Sequence, residues 1–264
     1  DAMYLNVLKQ CSEKEAHKFS EYIYEECLSK REQSAALQQH LCLCLEAYFK
    51  DNEFEKCKEI WTSLLEHNEK KEIDALGWNV MVQLYAKKQE REEYQSLMYH
   101  WQDMKDADIE PTKQTFLAML QVCTNIVHLD KGKSVHLDMV RVQNKLKFGP
   151  NSKLLQDIEV QNALLKMYGK CGDVVNTSKH WNDLKKADQE HYEITKERLI
   201  DIQHWNCIIN VHAIAGNTEQ VIELYEELKA DKDIEPNDVT YTMIVDVLNR
   251  KGMQEKATEI LNDR

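Results

Sequence analysis

The chain has 264 residues, 42% hydrophobic and 30% charged, with only 7 Gly and 3 Pro. So few turn-formers exclude a many-stranded sandwich or barrel, and collagen-like or low-complexity chains with it. The formal net charge of −12 argues against a uniformly basic nucleic-acid coat or a binder of anionic membranes, while leaving open where the charges sit. The eight cysteines (11, 27, 42, 44, 57, 123, 171 and 207) form no CxxC pair and read as free thiols of a reducing compartment. No run approaches the roughly 18 apolar residues of a membrane span, so none is expected. The chain opens at Asp1 with no cationic leader, which reads as a removed targeting segment or as a fragment.

Taken in chain order, the sequence is a repeat. Residues 4–23 look like a worn unit. Five segments then align: AYFKDNEFEKCKEIWTSLL (47–65), WNVMVQLYAKKQEREEYQSLMYHWQDM (78–104), FLAMLQVCTNIVHLDKGKSVHLDMV (116–140), QNALLKMYGKCGDVVNTSKHWNDL (161–184) and WNCIINVHAIAGNTEQVIELYEEL (205–228). A sixth opens with TYTMIVDVLNRKGMQEKATEIL (240–261). Each is an apolar helix, a short polar break, then an amphipathic helix. The breaks fall at Asp51-Asn52, Lys88-Gln89, Cys171-Gly172, Ala215-Gly216 and Lys251-Gly252. A bulky ring recurs in the second helix as Trp61, Trp101, Trp181 and Tyr225, where it is expected to fill the gap to the next pair.

These landmarks give units 38–74, 75–112, 113–157, 158–201, 202–237 and an incomplete 238–264, after a degenerate unit 1–37. IEPT (109–112) and IEPN (234–237) close units with a helix-ending Pro. The two longest units carry extra residues near 141–157 and 185–200, expected as lengthened loops or helix extensions. The first of these is basic, with Arg141, Lys145, Lys147 and Lys153, and is a candidate docking segment. The fold class expected is all-α: one solenoid of paired helices over residues 1–264.

No unit has the Trp, Leu-Gly and Tyr set of tetratricopeptide repeats. The sequence instead resembles the pentatricopeptide repeat (PPR) family. PTKQTFLAMLQVCTNIVHLDKGKSVH (111–136) and QNALLKMYGKCGDV (161–174) look like the variant-length units of plant-type members, and PNDVTYTMIVDVLNRKGMQEKATEIL (236–261) is similar to the standard unit. The resemblance is strongest from about residue 75 onward. It implies a right-handed solenoid that binds single-stranded RNA in mitochondria, or in plastids, along the groove lined by the first helices. It also implies that one base is read per unit, by the fifth residue of the unit together with its last.

Carried onto this chain, the base-reading pairs are Asn79 with Thr112, Asn162 with Asp201, and Asn206 with Asn237, while Thr242 opens a pair completed beyond Arg264. The family's rule makes Asn with Asp favour uracil, Asn with Asn favour pyrimidines and fifth-place Thr favour purines, so a short pyrimidine-rich RNA is implied. Cys42 and Leu117 at the fifth place mark spacer units. The family's base-flanking second place holds Val239 and Leu76, but Gln114, Glu159 and Gln203 depart from its pattern.

The charge map bears on this reading independently. The expected first helices (38–50, 75–88, 113–126, 158–171, 202–215 and 238–251) carry eight Lys and Arg against Glu46, Glu159, Asp238 and Asp246. One face is therefore mildly basic inside an acidic shell. Lys50, Lys87, Lys170 and Arg250 are each the thirteenth residue of their unit, a ladder that can track phosphates. The alternative is helix C-terminal cations answering the macrodipole. Four phosphate contacts give a log–log salt slope of about −3.

No catalytic constellation is found: no Gly-rich phosphate loop, GxSxG or HExxH. His191-Tyr-Glu193 matches the HxE half of a zinc deaminase but lacks the CxxC half, and reads as a loop coincidence. His40, Cys42 and Cys44 read as core, because two ligands on one helix face make no closed site. No metal, cofactor or enzymatic activity is expected. The function implied is RNA binding for processing, stability or translation. The alternative is a structural PPR subunit of a large mitochondrial ribonucleoprotein such as the ribosome, whose acidic outer face meets basic proteins.

Overall fold

The computed structural model describes residues 35–263 except 51, 68–71, 74, 89–90 and 146–152. The degenerate unit expected over 1–37 thus lies almost wholly outside the described residues, as does most of the segment after Lys145. Among the described residues there are twelve α-helices and no strand. They are α1 (Ala35–Lys50), α2 (Phe54–His67), α3 (Ala75–Lys88), α4 (Arg91–Asp106), α5 (Lys113–Asn125) and α6 (Leu129–Lys145). After a 3-10 turn (Leu154–Gln156) come α7 (Ile158–Lys170), α8 (Val174–Thr195), α9 (Ile202–Ala215), α10 (Thr218–Ala230), α11 (Asp238–Arg250) and α12 (Gln254–Asn262).

The chain divides into two compact units, Asp1–Val122 and Cys123–Arg264. In the first, α1–α2 and α3–α4 are helical hairpins, and α3 packs on both α1 and α2. In the second, α7–α8, α9–α10 and α11–α12 are hairpins whose first helices stack one on the next. No single hairpin buries its own apolar face, so each depends on its neighbour.

The hairpin turns have one cause. The fifteenth residue of five sequence units lies in the left-handed region: Asn52 (φ 62°), Val127 (54°), Gly172 (75°), Gly216 (73°) and Gly252 (73°). At Gly216 the turn is closed by Gly216 N–H to Ala213 O and Asn217 N–H to His212 O, a helix-ending left-handed cap.

The recurring aromatics lock neighbouring hairpins together. Trp61, Trp101, Trp181 and Tyr225 are all buried, and each meets a ring at the fourth position of the following first helix. The pairs are Trp61–Trp78 (centroids 4.8 Å apart), Trp101–Phe116 (5.6 Å), Trp181–Trp205 (4.7 Å) and Tyr225–Tyr241 (6.3 Å), all edge-on. Such pairs contribute about 0.5–1.5 kcal/mol beyond the area they bury.

Between α6 and α7 the lock is polar instead. His136 Nδ1 lies 2.8 Å from the Tyr168 hydroxyl, His180 Nδ1 bonds Gln161 Oε1 at 2.9 Å, and His180 stacks on Tyr168 at 5.4 Å. Burial is the main force lowering both histidine pKa values, with His180 brought down to about 4.

The extra residues near 185–200 extend α8 to Thr195 and then form a pinned loop. Arg198 Nε donates to buried Asp188 (2.8 Å) and its terminal nitrogens to Asp231 (3.0 Å) and Asp233 (3.3 Å), while Asp188 also accepts the Leu199 and Ile200 backbone N–H groups. His191 and Glu193, expected on a loop, stand instead on the last turns of α8. Cys42 and Cys44 are buried in the core.

Candidate functional site

The residues that end the sequence units have a structural job first. Asp157, Asp201 and Asn237 are N-caps of α7, α9 and α11, accepting the backbone N–H of Glu159, of Gln203 and His204, and of Thr240. Thr112 does the same for α5, taking the Thr115 N–H at 3.3 Å. Each cap satisfies donors that a helix start leaves open, which typically stabilises by about 1 kcal/mol. Burial raises the Asp201 carboxyl pKa, but the neighbouring His204 ring and the backbone N–H donors of His204 and Gln203 outweigh it and hold the carboxyl below its usual range.

Two of the fifth-position residues, Asn79 and Asn206, converge on those caps. Asn79 is 4% exposed: its Oδ1 accepts the Thr112 backbone N–H at 3.1 Å and the Thr115 hydroxyl, and its Nδ2 donates to Ala75 O at 2.6 Å. Asn206 repeats the pattern at the far end of the chain. Its Oδ1 accepts the Thr240 hydroxyl at 2.7 Å, and its Nδ2 donates to Asn237 Oδ1 at 3.2 Å. Asn162, half-buried, has an Oδ1 sealed from solvent and without a partner. Cys42 follows the same register without polarity, since a Cβ added at Gly77 would lie 3.0 Å from its sulfur. Thr242 is exposed and bonds back to Asp238 O at 2.7 Å.

Thr112, Asp201 and Asn237 are exposed, and Asn162 and Asn206 partly so. What they present is hydroxyl, amide and carboxylate chemistry at the start of each first helix, suited to base-edge hydrogen bonds. Asn79 presents almost nothing.

The thirteenth-position cations are exposed at the other end of the first helices. Lys50 pairs with Glu46 at 3.0 Å and Arg250 with Asp246 at 3.3 Å, both one turn back. Lys87 lies over the Phe49 ring at 5.1 Å, and Lys170 is exposed at the end of α7. Exposed pairs of this kind hold by about 0–1 kcal/mol, so an incoming phosphate can displace the acid. In the basic segment, Arg141 pairs with Asp138 at 3.0 Å.

Sequence reasoning missed the third residue of each unit. Thr115, Thr240 and His204 are buried at that place, and the two threonines bind the preceding unit's fifth residue. The signal was present as Thr three residues after a Thr or Asn cap, a capping pattern. Among the described residues no cluster of His, Cys, Asp and Glu is fit to hold a metal ion, and no helix is long and apolar enough to cross a membrane.

Residues 200–250 match the PPR repeat family. A pentatricopeptide repeat-containing protein of Arabidopsis thaliana is 23% identical over 248 residues, 94% of this chain and 30% of that protein. Two relatives from the same plant, both named mitochondrial, are each 26% identical, one over 70% of this chain and 17% of its own length, the other over 78% and 28%. The chain thus spans less than a third of these relatives. Among solved structures, the pentatricopeptide repeat protein PPR10 in complex with an 18-nt psaJ RNA element aligns with a TM-score of 0.48 at 12% identity, over 93% of this chain and 37% of that one. The family match and the many relatives bearing the name show the chain's resemblance to the PPR family.

Proposed function

Taking the chain as a run of pentatricopeptide repeats, we propose that it binds a short single-stranded RNA along its first helices and acts without catalysis in RNA processing, stability or translation. The observation that carries this reading is the convergence of fifth and last residues. Asn206 and Asn237, 31 positions apart in sequence, meet side chain to side chain at 3.2 Å, and Asn79 meets the backbone of Thr112 in the same register. A two-residue reader needs that juxtaposition. Asn162 with Asp201 and Asn206 with Asn237 are the exposed readers, with Thr242 opening the next. Lys50, Lys87, Lys170 and Arg250 supply the phosphate track, the RNA is pyrimidine-rich, and the compartment is the mitochondrion, as two relatives' names suggest.

A second reading, a structural subunit of a mitochondrial ribonucleoprotein, is favoured by Asn79, whose amide is consumed inside the protein, and by the two paired cations. There the acidic outer helices meet basic proteins.

Fluorescence anisotropy of the purified chain with pooled short RNAs, titrated with salt, separates the two. Micromolar or better binding to pyrimidine-rich RNA, weakened by Lys87→Glu with Lys170→Glu and absent for duplex, is the expected result. No RNA binding at low salt refutes the reader and leaves the scaffold.

A further inference from the structure

The second helices carry a cleft that the RNA reading does not use. The extra residues near 185–200 run α8 on for 22 residues where α10 has 13, and Arg198 clamps the loop that follows. Between the lengthened α8, that loop and α10 lies a cleft of about 640 Å³. Its Lys186, Gln189, Arg198 and Ile200 all come from the extra residues. The clamp holds this wall in place before anything binds, which lowers the ordering cost of binding.

Charge decides what the cleft refuses. Lys185, Lys186 and Arg198 line it together with Asp188, Glu227 and Asp231, so the two signs balance. Arg198 holds Asp188 at 2.8 Å and Asp231 at 3.0 Å, and Lys185 holds Glu227 at 2.8 Å. A phosphate or a charged side chain entering here meets a like charge beside each opposite one, so neither sign gains. A nucleic-acid backbone needs a net positive lining, and this one has none.

Two exposed side-chain amides decide what it accepts. Asn182 and Gln189 both line the cleft, seven residues apart on α8. That spacing puts them on one face, two turns apart and about 10.5 Å along the axis. A peptide in the polyproline-II conformation returns to the same face every third residue, after about 9 Å, with its backbone carbonyls unpaired. A flat β-strand repeats its face every second residue and matches the spacing less well. The amide N–H groups of Asn182 and Gln189 are donors for two such carbonyls. The nearly buried Ile200 and Trp205 and the exposed Ala230 give an apolar seat beside them.

We propose that this cleft binds an uncharged polyproline-II segment of a protein partner. Asn182 and Gln189 donate to carbonyls three residues apart, and an apolar side chain sits on Ala230. The cleft is built on second helices, so the proposal does not rest on the RNA reading.

The test is selection of a phage-displayed library of random short peptides on the purified full chain. The recovered peptides should be rich in proline and poor in charged residues. Asn182→Ala with Gln189→Ala should weaken a recovered synthetic peptide by about tenfold, the loss of two hydrogen bonds. Ala230→Arg should block it altogether. All three positions are exposed, so thermal melts of these variants should match the parent. Ester replacement of single backbone amides, which weakens the carbonyl acceptor, should weaken binding at two positions three residues apart. Sensitive positions two apart mark a β-strand and overturn the proposal. So do recovery of charged peptides only, undiminished binding to Ala230→Arg, displacement of the peptide by single-stranded RNA, or no enrichment at all.

Discussion

Val127 occupies the place that Gly172, Gly216 and Gly252 hold in later units, and its φ of 54° puts a β-branched residue in the left-handed region. That conformation costs an L-residue about 1–2 kcal/mol, with β-branching toward the upper end. Val127 is 53% exposed, so its side chain has little packing to lose. Glycine there removes the strain but loses more chain entropy on folding, about 0.5–1 kcal/mol. The difference predicts that Val127→Gly stabilises the chain by about 1 kcal/mol. The reciprocal change is Gly172→Val, at a φ of 75° with no atom within 4 Å of the added Cβ. With no clash to relieve, backbone strain outweighs the other effects, and the loss should be about 1 kcal/mol or slightly more. Urea denaturation followed by circular dichroism reads both as midpoint shifts at constant slope. A neutral or destabilising Val127→Gly together with a harmless Gly172→Val would refute the argument that backbone strain governs this turn.

Trp181→Ala should cost about 3–5 kcal/mol by opening a cavity against Trp205. Trp181→Phe should cost much less, because the buried indole nitrogen it removes has no hydrogen-bond partner; thermal melts of the two variants separate these outcomes. Arg198→Lys should destabilise by about 2–3 kcal/mol in chemical denaturation, since a single ammonium cannot serve Asp188 and Asp231 as the guanidinium fork does. Stability should also fall with acid. His180 is held neutral, its pKa lowered to about 4 by burial and by His136, against about 6.5 in the unfolded chain, so its contribution is whole above pH 6.5 and lost as pH falls toward 4. The loss approaches about 3 kcal/mol, and His180→Gln should flatten it in denaturation curves taken between pH 7 and pH 4.

The sequence alone determined the all-helical class, because apolar faces at helical spacing recur with a break and a ring in each repeat. It placed the starts of α3, α5, α7, α9 and α11 at residues 75, 113, 158, 202 and 238, since a Pro-x ending or a short polar residue marks each one. It also foresaw that Trp61, Trp101, Trp181 and Tyr225 bridge hairpins, since a ring that size has nowhere to go within one pair. Tertiary structure alone decided what the polar residues are free to do. Asn79, Asn162 and Asn206 are one letter at one position, yet the first is sealed by Thr112 and Thr115, the third is tied to Thr240 and Asn237, and the second has an oxygen without a partner. Hydrophobic burial is periodic and non-directional, so a pattern along the chain reports it. A hydrogen bond depends on which donor stands within about 3 Å, and that donor comes from a neighbouring helix some thirty residues away.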